Sequence, residues 1–221
     1  MRVLFDGLGN AGQAIVRALC VLWSCCQAVA RPEIWLSDTA AWRPHHARGG
    51  LVSEDDVGLP KVISTRRRLV EGGWPSDRVR ADRVDIRDCP RSRYEGALVL
   101  ALTDSHEIKD LSVQRALCVG SRAIGVGLGK TEAVVECFWP WGAGYCCIHS
   151  HDEAYAQRRP CMPDERQIST TEMASRSATE AAGRLVARLI AGCISTGSLS
   201  GDRGWTVTEQ RAEEFRFRRD P

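Results

Sequence analysis

What this 221-residue sequence lacks, first, is an apolar run long enough to cross a membrane. Its most apolar stretch, Ala14 to Trp23, is interrupted by Arg17 and falls short of the roughly 20 residues a helical span requires. An excess of charge of either sign is also missing: 30 Lys and Arg face 28 Asp and Glu. A net charge of +2 makes no case for nucleic acid or a membrane surface as partner. The ten cysteines contain no C-x-x-C spacing, and Cys25-Cys26 and Cys146-Cys147 are adjacent pairs. Adjacent cysteines rarely bridge each other, so the usage fits reduced thiols in a cytosol rather than a disulfide framework. Met1 is followed almost at once by an apolar strand, which leaves no room for a secretory leader and points to a cytoplasmic protein. No internal repeat or low-complexity segment stands out. With 43% apolar and 26% charged residues, what remains is a globular chain able to bury its own core.

The hydrophobic pattern supplies the architecture. Val3 to Phe5 reads as a buried strand, and Ile15, Leu19, Leu22, Cys26 and Val29 recur at helical spacing behind it. "EIWLS" makes a second strand that runs to Asp38, followed by a polar loop, "TAAWRPHHARGGLVSEDD". "VGLPKVISTRRRLVEGG" predicts a helix with Pro60 in its first turn and Gly72-Gly73 beyond its end. "DRVRADRVDI" alternates like a half-exposed strand, whereas "GALVLAL" is continuously apolar, as a central parallel strand is. A helix over Glu107 to Val119, the strands "RAIGVGL" and "AVVECFW", and an Ala-rich helix from Thr170 to Ile190 follow. The tail, "GWTVTEQRAEEFRFRR", reads as one or two edge strands, and the stretch from Gly142 to Gln167 as a long loop. This rhythm predicts an α/β, Rossmann-like doubly wound sheet, mainly parallel, with an antiparallel C-terminal extension.

Three glycines mark the first turn. Gly7, Gly9 and Gly12 form G-x-G-x-x-G between a strand and a helix, a setting in which backbone amides and the helix N-terminus stabilise phosphate oxygens. Asp38, at the tip of the second strand, is placed to accept hydrogen bonds from a ribose. The loop alone does not distinguish the pyrophosphate of NAD from the triphosphate of ATP. Two later residues favour ATP: Lys61 in the first turn of its helix, and Asp104 at the carboxyl end of a central strand. A lysine aimed at phosphates and an acid able to hold Mg²⁺ answer the charge that develops in phosphate transfer. Each has a plainer alternative, since Lys61 can cover the side of its helix and Asp104 can cap the helix that follows.

The order G-x-G-x-x-G, ribose Asp, loop Arg, "VGLPK", then "TDS" before a helix resembles the ThiF/MoeB/HesA superfamily of ubiquitin-activating-enzyme-like adenylyltransferases. The likeness covers nearly the whole chain. "SVQRALCVGSRAIGVGL", "AVVECFWPWGAGYCCI" and "FRFRRDP" resemble the family's later elements. It implies a single adenylation domain over residues 1–221, with a nucleotide-binding half at 1–130 and a crossover loop, long helix and final strands at 131–221. It further implies that Gly7, Gly9 and Gly12 hold ATP and Asp38 its ribose. Arg48 and Lys61 would contact the phosphates, and Asp104 would coordinate Mg²⁺. The expected substrate is the C-terminal carboxylate of a small ubiquitin-like or sulfur-carrier protein or a peptide, and relatives are homodimers. Arg48 has the alternative of a solvated loop arginine, because one inserted residue is needed to align it.

The sequence also departs from that family. Its usual loop asparagine is His45 here, and the Asn and Arg that follow the Asp are Ser105 and Lys109. The N-terminal segment that supplies an arginine to the partner subunit's site has no counterpart in this sequence. In place of a first zinc-binding C-x-x-C pair stands "GYCCIHSHD", whose Cys146, Cys147, His149 and His151 match no zinc spacing, so no metal beyond Mg²⁺ is expected. Cys161, between Arg158-Arg159 and Pro163, takes the place of a thioester-forming cysteine in some relatives. Two rivals to adenylation remain: an NAD(P)-dependent oxidoreductase using the same loop, and a catalytically degenerate scaffold.

Overall fold

The computed structural model describes residues 1–25, 30–149, 175–199 and 203–216. Its strands are β1 (Arg2–Asp6), β2 (Glu33–Ser37), β3 (Val79–Asp82), β4 (Ala97–Ala101), β5 (Arg122–Leu128), β6 (Ala133–Phe138), β7 (Arg203–Val207) and β8 (Ala212–Arg216). They form one sheet in the order β3-β2-β1-β4-β5-β6-β7-β8. The first five are parallel, and β6, β7 and β8 continue the sheet antiparallel. Helices are α1 (Asn10–Cys25), α2 (Pro44–Arg48), α3 (Lys61–Glu71), α4 (His106–Cys118), α5 (Tyr145–His149) and α6 (Arg176–Thr196).

Strand alternation sorts the core into two layers. Val3 and Phe5 of β1, with Leu98 and Leu100 of β4, pack on one face against Ile15 and Leu19 of α1, Leu69 of α3 and Val186 and Ile190 of α6. Leu4, Val99 and Ala101 point the other way, onto Val113 and Ala116 of α4. Each such side chain is fully removed from water, which contributes about 1.5–3 kcal/mol for a Val, Leu, Ile or Phe. The sheet is wound from β1 outward in both directions. Chain order therefore reverses between β1 and β4, the switch point beside which open α/β sheets bind ligands.

Several boundaries differ from the sequence pattern. Only Val79–Asp82 of the alternating "DRVRADRVDI" pairs in the sheet; beyond it Asp85 accepts from the Arg87 amide and starts a 3-10 turn over Ile86–Asp88. Pro60 is the cap residue of α3 rather than part of its first turn, and Lys61 opens the helix. The loop after Asp38 contains α2, led in by Pro44. The long helix extends past Ile190 to Thr196, where Gly197 (φ +66°) closes it, and starts behind the Ser175 cap. Cys26, Val29, the stretch 170–174 and the end of "FRFRRDP" lie outside the described residues.

Candidate functional site

The glycines of the first turn do two different things. Gly7 has φ +100°, and a Cβ there would lie 3.1 Å from the backbone of Leu102 and Thr103. A Cβ on Gly12 would lie 3.0 Å from the Gly7 carbonyl oxygen. These two allow the turn to pack tightly on β4 and α1. Gly9 is different, because among the described residues nothing lies within 4 Å of where its Cβ would be. That open side adjoins the start of α1 at Asn10, whose first turn carries no acidic residue. The first amides of a helix have no intrahelical partner, so this is a cradle suited to an anion.

Asp38 and Lys61 converge on the same turn. Asp38 Oδ2 accepts from the Leu8 amide at 2.9 Å, and Oδ1 from the Ala40 amide at 2.8 Å. Lys61 Nζ lies 4.0 Å from Asp38 Oδ2 and 5.1 Å from the Trp42 ring. Each of these side chains is only 13% exposed, so both are held in place rather than waving in solvent. The intervening loop is closed at its neck: Lys61 N–H donates to Ala40 O (3.0 Å), Trp42 N–H to Leu59 O (3.0 Å), and Gly58 N–H to Trp42 O (2.9 Å). Buried Trp42 locks it further by donating Nε1–H to Ser64 Oγ. Four predicted positions distant in sequence, Gly7, Gly9, Asp38 and Lys61, are thus brought together at the carboxyl ends of β1 and β2.

Arg48 is exposed at the end of α2 and forms no ion pair among the described residues. It does contribute charge. The His45 pKa is lowered by burial and then by Arg43, Arg48 and Lys61. His46 is pushed down to about 4 by burial, His45 and Lys61, although its Nδ1 accepts from the Arg43 amide at 2.9 Å. Burial first, and then the neighbouring cations, disfavour the charged form of both imidazoles, and the cations give the surroundings of Lys61 a positive potential.

Asp104 lies beyond the carboxyl end of β4, the strand beside β1. Asp104 is exposed and follows the Leu102–Thr103 backbone against which Gly7 packs. It does not cap α4: Ser105 does, its Oγ accepting from the Ile108 amide at 3.4 Å. Lys109 is 5% exposed and donates Nζ–H to Val126 O at 2.8 Å, so its charge stays in the protein interior. Lys109, which stands where the resembled family has an arginine, is thus buried against β5.

Pattern reading missed several polar groups. Asp6, directly before Gly7, is fully buried and accepts from Tyr94 OH (3.1 Å) and Ser112 Oγ (2.6 Å). A carboxylate at the end of the apolar "VLFD" was its only signal. Near α4, His106 Nδ1 bonds to Tyr145 OH, and His149 Nε2 lies 3.0 Å from buried Glu136. His149 is thus an orienting partner of Glu136, whereas the Cys147 side chain, His151 and Cys161 lie outside the described residues. Among the described residues no three His, Cys, Asp or Glu side chains form a metal-binding group, and no helix is long and apolar enough to cross a membrane.

No protein-family model matches the chain, and no curated protein sequence matches it. Solved structures do match its fold. E. coli MccB with AMPCPP and MccA superimposes with a TM-score of 0.71 at 18% identity, over 100% of this chain and 65% of that one. E. coli MccB with ATP gives 0.70 at 18%, over 99% and 63%. PaaA gives 0.67 at 16%, over 97% of this chain and 72% of its own. The chain therefore spans just under two thirds of the MccB chains. At these identities the likeness is one of fold, and it extends over the whole chain as the motif resemblance implied.

Proposed function

We propose that this chain binds Mg·ATP beyond the carboxyl ends of β1, β2 and β4, and adenylates the C-terminal carboxylate of a small ubiquitin-like or sulfur-carrier protein or a peptide. The observation that carries the reading is the convergence of Asp38 Oδ2 on both the Leu8 amide and the Lys61 ammonium beside the open side of Gly9. Asp38 retains acceptor capacity for a ribose hydroxyl. Lys61 and the amides at the start of α1 answer phosphate charge, with Arg48 on the adjoining loop. Asp104 is one exposed carboxylate, which suits Mg²⁺ held jointly by protein and phosphates. When bound, Mg·ATP supplies the electrophilic α-phosphorus; the chain's own groups position it and neutralise charge as pyrophosphate departs.

The topology weighs against the oxidoreductase. Dinucleotide enzymes of this architecture use a second parallel half for the nicotinamide side. Here β5 turns directly into antiparallel β6. The fold likeness to MccB, a Microcin C7 biosynthetic enzyme solved with ATP and with MccA, supports the same reading. Whether a second copy or another subunit completes the site, and whether Cys161 forms a thioester afterwards, belong to this proposal. One observation favours a degenerate scaffold instead: Lys109, which stands where the resembled family has an arginine, is buried and donates to Val126 O.

The test is calorimetric titration with Mg·ATP, NADH and NADPH, followed by ATP–pyrophosphate exchange with candidate carriers. Mg·ATP binding that Lys61→Ala weakens, with exchange that Asp104→Ala reduces by about 100-fold, is the expected outcome. Mg·ATP binding with no exchange for any carrier supports the scaffold. Binding of a dinucleotide alone refutes the proposal.

A further inference from the structure

On the α1, α3 and α6 side of the sheet lies an open groove of about 870 Å³, separate from the glycine turn. Among the described residues six arginines line it, Arg17, Arg67, Arg68, Arg176, Arg184 and Arg188, against four carboxylates. Two of them, Asp56 and Glu180, are already engaged. Asp56, 1% exposed, accepts from Arg67 (2.7 Å) and from Arg68, while Glu180 lies 3.6 Å from Arg17 and 3.5 Å from Arg176. Arg68 also donates to Gln13 Oε1 at 2.6 Å, which fixes its guanidinium. Arg184 and Arg188 form no ion pair among the described residues. Burial, and after it the charges of Arg176 and Arg68, disfavour the protonated Arg17 despite Glu180. Among the described residues the groove thus holds positive charge that its own carboxylates do not balance.

Its shape selects among anions. Arg176, Glu180, Arg184 and Arg188 follow one another at four-residue spacing along α6, so the cationic stripe runs about 18 Å at ~1.5 Å per residue. A lone phosphate engages one end of such a stripe. An extended peptide of five or six residues, at ~3.3 Å each, covers it all. The floor is apolar, formed by Ala14, Ala18, Val21 and Leu22 of α1, Leu51 of the loop and Ala187 of α6. Val21 is 67% exposed there. The loop between β2 and α3 runs from Lys61's surroundings to this groove: His45 feels the charge of Lys61 and Arg48, and Gly50 to Ser53, Asp55 and Asp56 line the groove.

We propose that this groove docks an acidic segment of the polypeptide substrate, with carboxylates on Arg184, Arg188 and Arg17 and apolar side chains on the α1 floor, upstream of the C-terminus presented to the nucleotide. The assignment as a substrate contact rests on the adenylation reading; the binding of an acidic peptide does not. The probe is a fluorescein-labelled eight-residue peptide alternating Glu and Leu, with a Lys/Leu counterpart, followed by anisotropy on the full chain without nucleotide. The Glu/Leu peptide binds, and the Lys/Leu peptide does not. Arg184→Glu/Arg188→Glu weakens binding at least about tenfold, since two attractive contacts become repulsive, and the double Ala variant weakens it less. Both arginines are exposed and outside the nucleotide site, so Mg·ATP binding stays unchanged in both variants. Equal affinity of wild type and the double Glu variant overturns the proposal, as does full displacement of the peptide by equimolar pyrophosphate. Loss of peptide binding in the variant, in a protein that never binds Mg·ATP, supports the groove while refuting the adenylation reading.

Discussion

Replacing Asp6 by Asn should convert a pH-dependent liability into a constant one. Asp6 is fully buried one residue before the glycine turn, and its Oδ1 has no hydrogen-bond partner among the described residues. Burial pushes its pKa up to about 6 from an ordinary 3.8, and the bonds from Ser112 and Tyr94, with Arg93 and Arg115, only partly offset that. A rise of about two units corresponds to ~3 kcal/mol at ~1.4 kcal/mol per unit. The folded protein holds the Asp6 proton more tightly than the unfolded chain does. The contribution of Asp6 to stability is therefore fully present below about pH 4 and is lost as pH rises to about 6. An amide has no ionisation to pay for. Urea unfolding of wild type and Asp6→Asn at pH 4, 5, 6 and 7 measures the difference, in which contributions of other titrating groups cancel. The variant should gain on wild type by up to ~3 kcal/mol between pH 4 and 7. Any mismatch of the amide with Tyr94 or Ser112 adds an offset, so the slope carries the test. A difference that is flat with pH refutes the reasoning.

One helix offers a substitution with opposite signs. A Cβ on Gly183 would lie 2.7 Å from the Ala14 backbone, so Gly183→Ala should lower stability by about 1–3 kcal/mol through overpacking of α1 against α6. Gly192, also in α6, has nothing within 4 Å among the described residues, and Gly192→Ala should raise stability by about 0.5–1 kcal/mol; thermal or urea midpoints of the pair decide. Asp38→Ala removes the acceptor of the Leu8 and Ala40 amides and should destabilise by about 1–3 kcal/mol, read from the urea midpoint, while weakening Mg·ATP in calorimetry. The His45 pKa is depressed by burial and then by Arg43, Arg48 and Lys61, so a triphosphate bound beside these cations should raise it by offsetting their charge. An NMR titration of His45 with and without Mg·ATP checks that direction, and an unchanged midpoint places the phosphates elsewhere.

The alternation of apolar residues in "VLFD" and "GALVLAL", the helical spacing behind Gly12 and the punctuation by Gly and Pro are local signals. They were sufficient for the parallel order of elements and for Gly7, Gly9, Asp38, Lys61 and Asp104 as candidates, because each depends on residues near it in the chain. Tertiary structure decided which of these meet. Asp38 reaches the Leu8 amide across 30 positions, and Lys61 reaches Asp38 only because the loop neck closes on Ala40 and Trp42. It also decided what the polar residues of α4 do: Ser105 took the cap and left Asp104 exposed, while Lys109 turned inward to Val126 O. The arginine groove was illegible beforehand, since Arg17, Arg68 and Arg184 look like ordinary solvated charges in their own helices. Local periodicity determines which face of an element is buried, but the partner across that face comes from chain closure, and charges from three helices share a field only once the sheet has brought them within range of one another.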